Sequence, residues 1–514
     1  MNVRLTAAKI FLAVLIVGGF FYVSVRFEDP DLGWHVRVGE WISMHRAVPH
    51  ADEYSHTMKG YRWVDHEWAL DAALWSARER GLWAPAVFLF SLAGALPFLY
   101  VLFRSRFISQ LLIAPLGASA VLPFVGMRPQ LFTWMFFALT VWCLGRYCST
   151  RRARFLFLVP ALIFIWSNIH AGFFAGMGAV VLVLGSDVIV NRFAVRAETL
   201  RNIFVAIVTA VACAIVPLFN PYGVELYGEV FRVLASRDTA AFIAEWRSIL
   251  FFVEPSIALF FAVSVFLMFV MRRLLAGKNI LPAVFLVGAV KAARNWPLYV
   301  IVAMLVVIEA LEHFENIIEK AQRGRSGGDV VLRRWKYVLA CLVFAVSVAF
   351  FYQVVRFEGI TYPHHAVLYL SRAENRWGNI FNPYEWGGYI ENNAPGMRVF
   401  IDGRMPHWIA EDGSSAMSDY SSVVYKKDDS WKEVFERRNI TTVIAHSVSL
   451  PGGEQKNASG ITNRIAESSF GLVLRERLEK DTPRDLVGTL RDAGWETVYS
   501  DSVAVIMVRP PIDP

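Results

Sequence analysis

Two aspartates, a histidine and a second acid–imidazole group crowd one polar stretch near the start of the chain. Asp29, Asp31 and His35 open it, and Asp65, His66 and Glu67 close it, with apolar runs on both sides. An aspartate with an imidazole nearby can take a proton from a hydroxyl or amide acceptor. Other polar residues fall at the ends of apolar segments: Arg128, Asn168, His170, Asn220, Glu245, Arg247, Arg294 and Asn295. Ionisable groups at membrane depth are costly and usually mark a site. Arginines there suit a phosphate or diphosphate, which a guanidinium holds with two parallel hydrogen bonds. The tryptophans and tyrosines beside them offer flat faces to a sugar ring or a lipid tail.

These residue types describe glycosyl transfer from a lipid-phosphate donor. Arg128 and Arg294 would hold the leaving phosphate, and Asp29 would deprotonate the acceptor, supported by Asp31 and His35. Blander readings stand beside this one. Arg128 and Arg294 read equally well as headgroup anchors. His170, two residues before Gly172, reads more readily as a structural histidine. Asp65, His66 and Glu67 either face the same cavity or only fold the loop. Asp29 and Asp31 form an Asp-x-Asp pair, which leaves a divalent cation (Mg or Mn) open. No fixed metal motif accompanies the pair, and no cofactor is certain from the sequence.

The elements that position these residues follow from composition. The 514 residues are 55% hydrophobic and 18% charged, with a mean hydropathy of +0.42. The apolar residues come in blocks, several long enough for the roughly 20 residues that cross a bilayer. The chain is therefore expected to be a polytopic α-helical membrane protein of about eleven transmembrane helices, over 1–354. A soluble α/β domain follows over 355–514. The net charge of +7 sits mostly in short loops, where it sets topology rather than binding nucleic acid. Cys143, Cys148, Cys213 and Cys341 lie in or next to apolar segments and offer no disulfide framework.

Arg4 and Lys9 precede the first apolar run, about 10–25, and no small-residue cleavage site follows it. A cytoplasmic N-terminus and a retained first span are expected, with the 26–81 loop outside. Further spans are expected near 82–103, 108–126, 131–145, 155–168, 172–190, 203–217, 249–271, before 291, 297–312 and 338–354. Basic residues alternate accordingly: Arg104, Arg106, Arg146, Arg151, Arg152, Arg154, Arg192, Arg196, Arg201, Arg272, Arg273 and Lys278 fall on the inner side. Residues 313–337 read as a cytoplasmic linker. In the tail, 399–401 and 441–445 read as strands, 431–439 as a helix and 501–508 as a terminal strand.

Several motifs carry a resemblance. DPDLGWH (Asp29–His35), VDHEW (Val64–Trp68), SNIHAGF (Ser167–Phe173), NPYGVEL (Asn220–Leu226) and EW (Glu245–Trp246) are followed by RNWPL (Arg294–Leu298). FNPYEWGGYI (Phe381–Ile390) and VFIDGR (Val399–Arg404) lie in the tail. In layout and motifs the chain resembles the GT-C superfamily of polytopic glycosyltransferases, closest to a bacterial branch of GT-C-like membrane proteins. That resemblance implies a polyprenyl-phosphate-linked sugar donor, a membrane lipid as partner, a bacterial inner membrane location and a periplasmic C-terminal domain. Two motifs also resemble oligosaccharyltransferase catalytic subunits. Asp29-Pro30 is followed by Trp34 and Arg37, which makes Asp29 the candidate base. Tyr384-Glu385-Trp386-Gly387 is similar to the stretch that recognises the acceptor. By that likeness Glu385, Trp386, Asp402 and Arg404 would shape the acceptor side. The second acidic motif of those enzymes is missing: Gly126-Met127-Arg128-Pro129-Gln130 holds no acid, which speaks against metal-dependent amide glycosylation. A transporter or assembly component for an envelope polysaccharide is the competing class. It would place ionisable groups mid-span around broken helices, whereas here they gather at segment ends.

Overall fold

The computed structural model describes residues 3–191, 197–236, 239, 242–252, 254–271, 280–322, 342, 345–355, 361–372, 377–447 and 483–510. The chain forms two compact units. One comprises 1–28, 66–230 and 243–359; the other comprises 29–65, 231–242 and 360–514.

The first unit is helical. Among the described residues, five helices are long and apolar enough to cross a membrane, including Leu5–Arg26, Trp83–Arg104 and Gln130–Thr150. Six shorter apolar helices accompany them, the last being Ala345–Val355. Helices suit lipid because every backbone N–H and C=O finds its partner inside the segment. Side chains divide as that solvent demands. Phe20 packs edge-on against Phe98 and Trp134, and Phe137 against Phe285. Phe11, Phe157, Phe204 and Phe269 are each more than 60% exposed, an arrangement stable against acyl chains and not against water.

Charged residues tie the helix ends. Lys9 Nζ donates to the Ser105 carbonyl at 2.6 Å. Arg104 lies 3.6 Å from Glu309, and Arg106 lies 3.0 Å from Glu312. Arg151 ends the Gln130–Thr150 helix in the left-handed region (φ 54°) and forks Asp187 at 2.5 and 2.8 Å. Each of these bonds joins helix ends that the charge alternation assigns to one side. Arg192, Arg196, Arg272, Arg273 and Lys278 lie outside the described residues.

Two details differ from expectation, and a third adds to it. The third segment is broken into Ile108–Leu112, Ile113–Val121 and Leu122–Phe124, the outer two being 3-10 turns. Pro115, Gly117 and Pro123 account for it, since proline removes a donor and glycine favours other backbone shapes. The helix starting at Trp296 runs to Gln322, into the expected linker, whose remainder lies outside the described residues. The 26–81 loop is itself structured, with helices Leu32–His45 and Trp68–Glu79.

The second unit carries a four-stranded sheet. Its strands are β1 (Asn379–Phe381), β2 (Ile440–His446), β3 (Glu496–Ser500) and β4 (Ala504–Val508), in the order β1-β2-β4-β3. β1 and β2 are parallel and the other pairs antiparallel. The buried faces of Ile380, Ile444 and Ile506 meet Trp386, Tyr389 and Ile390. The expected helix at 431–439 is present as Ser430–Arg437. Residues 399–401 form no sheet strand. Val399 makes only an isolated bridge to Ser55, because its backbone is taken by the first loop. Val399 N donates to Tyr54 O, His56 N to Val399 O, and Thr57 Oγ1 to Phe400 O at 2.5 Å. Most of the 26–81 loop thus packs with the tail rather than with the helices.

One close approach fixes this packing. Gly33, on the Leu32–His45 helix, faces Gly388, on the Gly387–Asn393 helix. A Cβ on Gly33 would overlap the Gly388 carbonyl, and one on Gly388 would overlap the Pro30 carbonyl. Glycine is the residue that lets two backbones come this near.

Candidate active site

The sequence-derived candidates divide between the two units. Arg128, Arg294, His66, Glu67 and His170 belong to the helical unit. Asp29, Asp31, His35, Asp65, Glu385, Trp386, Asp402 and Arg404 belong to the second.

In the helical unit, Arg128 and Arg294 flank one carboxylate. Arg128 immediately precedes the Gln130–Thr150 helix and its Pro129 cap. Its guanidinium is ion-paired to Glu245 and lies 5.2 Å from the Phe27 ring centroid. Arg294 sits 4.6 Å over the Trp246 ring. The turns that carry Glu245 and Arg294 are tied together by a bond from Ala293 N to Arg247 O at 2.7 Å. Burial opposes ionisation of Glu245, but the two guanidiniums outweigh it and hold its carboxyl below the usual range. Two guanidiniums thus act on one carboxylate here, Arg128 by direct ion pairing and Arg294 through its charge. Glu245 could be singled out in the sequence only as a polar residue at a segment end.

A second group gathers three motifs of the same unit. Glu67 lies 3.7 Å from His66 Nε2 and 3.6 Å from His170 Nε2. His170 Nδ1 accepts from Gly172 N at 3.0 Å and meets Thr133 Oγ1 at 2.7 Å. Thr133 Oγ1 in turn accepts from Trp166 Nε1, which leaves its own proton for His170. With Nδ1 accepting, the hydrogen-bond network assigns the ring proton to Nε2, the nitrogen facing Glu67. Asn168 Oδ1 accepts from Trp68 Nε1 at 3.0 Å and Asn220 Nδ2 at 3.1 Å. The VDHEW, SNIHAGF and NPYGVEL motifs therefore converge on one network. Thr133, its hinge, follows Arg128 by little more than one helical turn, and no sequence pattern singled it out.

In the second unit, Asp29 is buried and its Oδ1 accepts from Asp31 N at 2.9 Å. That turn starts the Leu32–His45 helix, on which His35 is also buried. Burial pushes the His35 imidazole down, although Asp31, Asp65 and Asp29 all favour its charged form. These four expected residues are thus brought together. Asp31 also rests against the backbone of Gly403, where a Cβ would collide with its carboxylate.

Asp402 and Arg404 occupy a closed cluster. Arg404 Nη2 donates to Asp402 Oδ2 at 2.5 Å and to Glu391 Oε1 at 3.0 Å, Nε donates to Asp402 Oδ1 at 3.0 Å, and Nη1 lies 3.2 Å from Asp52. Its guanidinium lies 4.9 to 5.9 Å from the ring centroids of Tyr54, Trp63, Trp408 and Trp34. Burial drives the Glu391 carboxyl well above its usual range, with Arg404 opposing and Asp402 and Asp52 adding to the rise. Asp402 is held below its usual range, because Arg404 outweighs its burial. Burial thus favours the neutral form of Glu391, and Arg404 favours the ionised form of Asp402. Every side of Arg404 is engaged, so it and Asp402 organise the unit from inside. Asp52 and Glu391 were not picked out in the sequence. The Asp52–Ser55 spacing, in which Asp52 accepts from Tyr54 N, Ser55 N and Ser55 Oγ, is an Asx-turn pattern that could have revealed the first.

Glu385 pairs with His446 Nε2 at 2.8 Å, both partly exposed. Trp386 is fully buried, its ring 4.1 Å from that of His446. Trp386 is a core side chain, whereas Tyr384 and Glu385 of the same turn are partly exposed. Among the described residues, no group of three or more His, Cys, Asp or Glu side chains is placed to hold a metal ion.

The sequence matches no family model and no curated protein. Solved structures do match. The Archaeoglobus fulgidus oligosaccharyltransferase tethered to an acceptor peptide overlaps 87% of this chain and 69% of its own, at 12% identity and a TM-score of 0.57. The archaeal oligosaccharyltransferase AglB from the same organism, in complex with an inhibitory peptide and a dolichol-phosphate, overlaps 87% and 70%, at 14% identity and a TM-score of 0.55. ArnT from Cupriavidus metallidurans, bound to undecaprenyl phosphate, overlaps the full length of both chains at 11% identity and a TM-score of 0.49. The chain is a multi-pass helical membrane protein with a distant GT-C-like fold and a C-terminal sheet region.

Proposed function

We propose that this protein is a GT-C-type glycosyltransferase that moves a sugar from a polyprenyl-phosphate-linked donor to an acceptor outside the bacterial inner membrane. The observation that carries the reading is the pair of arginines, Arg128 and Arg294, around Glu245. A donor phosphate would take the place of Glu245 on Arg128, and the second guanidinium would share its charge. Bidentate guanidinium–phosphate contact is strong where water is scarce. The fold supports the class of reaction, and the dolichol-phosphate in the archaeal complex supports the class of carrier.

The chemistry assigned is a single displacement. The acceptor oxygen attacks the anomeric carbon, the bond from that carbon to the phosphate oxygen breaks, and the phosphate leaves on its lipid. Asp29 takes the acceptor proton, with Asp31 and His35 setting its electrostatics. The arginines stabilise the charge that grows on the leaving phosphate. The acceptor is a glycan, a lipid or a protein, and the N-terminus is cytoplasmic with the second unit periplasmic. In the helical unit the ionisable groups around Glu245 lie at helix ends, which favours a transferase over a carrier.

The test is binding of undecaprenyl phosphate to the full chain in nanodiscs. Wild type should bind, and Arg128→Ala and Arg294→Ala should each weaken binding at least tenfold in protein that still purifies as a folded monodisperse species. Unaltered affinity in both variants would sink the assignment.

A further inference from the structure

The second unit holds a cavity of about 210 Å³ that none of the roles above uses. Arg37, Glu40 and Trp41 of the Leu32–His45 helix form one wall, and Glu53 with Tyr54 another. Glu391 and Arg398 close it. Its volume is below the roughly 300–1,000 Å³ of pockets for drug-sized ligands, so it suits one ring at a time.

Its formal charges balance in number. Arg37 is ion-paired with Glu40, and Arg398, whose Nε donates to the Glu53 backbone carbonyl, shares the lining with the Glu53 carboxylate. Burial drives the Glu391 carboxyl toward its neutral form. The cavity therefore presents many donors and acceptors with little net charge. Trp41 stacks at 4.1 Å on His45, and the Tyr54 ring lies under Arg404. Aromatic faces bordered by paired polar groups match a pyranose, which has an apolar face of C–H groups and a rim of hydroxyls.

We propose that this cavity binds a neutral sugar residue of a glycan. It is a binding subsite, separate from the arginine pair. The inference deepens the glycosyltransferase reading by naming an acceptor class, and it rests on that reading only for the meaning of the bound glycan.

The experiment titrates the full chain in nanodiscs with cellotetraose, following tryptophan fluorescence and saturation-transfer NMR, with tetragalacturonate as the charged comparison. Cellotetraose should bind in the millimolar range, and tetragalacturonate at least fivefold more weakly. Trp41→Ala should weaken binding at least tenfold. Met44 lines the rim and is 66% exposed, so Met44→Arg should fold normally while obstructing the entrance, with a similar loss. Undecaprenyl phosphate binding is measured on the same samples. Sugar binding that ignores both substitutions, or equal binding of the charged tetrasaccharide, overturns the subsite, whatever the lipid result. Loss of sugar binding in Met44→Arg with lipid binding intact supports it. Sugar binding that depends on Trp41 in a protein with no affinity for the lipid phosphate keeps the subsite and overturns the transferase reading alone.

Discussion

Gly33 and Gly388 touch backbone to backbone, so that the helix after the first hydrophobic segment and the helix after β1 cross with no side chain between them. This crossing sets the register in which Asp31 meets Gly403 and the Arg404 cluster closes. Gly33→Ala or Gly388→Ala should destabilise the second unit by at least the upper part of the about 1–3 kcal/mol typical of overpacking. The clash is with backbone and not with a flexible side chain. Differential scanning fluorimetry of the full chain checks this, and an unchanged melting point in both variants would contradict the crossing.

Arg404→Met should be among the most damaging single substitutions outside the membrane helices. It leaves Asp402, Asp52 and Glu391 buried without their shared cation, and breaking a buried ion pair costs about 3–5 kcal/mol. The expected readout is loss of folded protein at expression and early proteolysis at the tail.

Glu391 predicts a slope on the alkaline side. Its folded pKa lies well above the ordinary value, so from the unfolded pKa upward the folded state binds more protons than the unfolded state. Stability must then fall as pH rises through that window. Glu391→Gln replaces the protonated carboxyl with a neutral group of the same shape. The variant should lose less melting temperature than wild type between pH 5 and pH 8.

His56 predicts the opposite slope. Its Nε2 meets the Ile380 carbonyl at 2.8 Å, and burial pushes its pKa down to about 4. Between the unfolded value near 6.5 and about 4, the unfolded state binds more protons, so stability falls as pH drops. His35, also depressed, adds to this. His56→Gln keeps a donor for Ile380 and removes the titration. It should flatten the melting curve below pH 6.5, and a wild-type-like slope would refute the linkage.

Glu245→Gln should tighten binding of undecaprenyl phosphate several-fold, because the competing charge on Arg128 is removed while the turn keeps its shape. Asp29→Asn should leave that binding intact and lower sugar transfer by about 10²–10⁴, the usual contribution of a positioned base. Full transfer activity in Asp29→Asn would remove Asp29 from the reaction.

The membrane class and the succession of apolar segments were legible in the chain alone. Lipid demands that each segment satisfy its own backbone, so the signal is local and continuous in sequence. The gathering of polar residues at segment ends, Arg128 and Arg294 among them, was legible for the same reason. The turn chemistry of Asp29-Pro30-Asp31 is equally local: Asp29 accepts from Asp31 N and opens the helix that carries His35. What only the tertiary structure decided were the partners of buried charge. Glu245 lies far along the chain from Arg128, and Arg404 collects Asp52 from the first loop and Glu391 from the tail. Such partners are chosen by which long loops close, at an entropic cost that no short pattern encodes. The same closure made Trp386, placed on the acceptor side by likeness, a core residue. A buried charge must be met by a counter-charge wherever the chain brings one, so its identity belongs to the fold and not to its sequence neighbourhood.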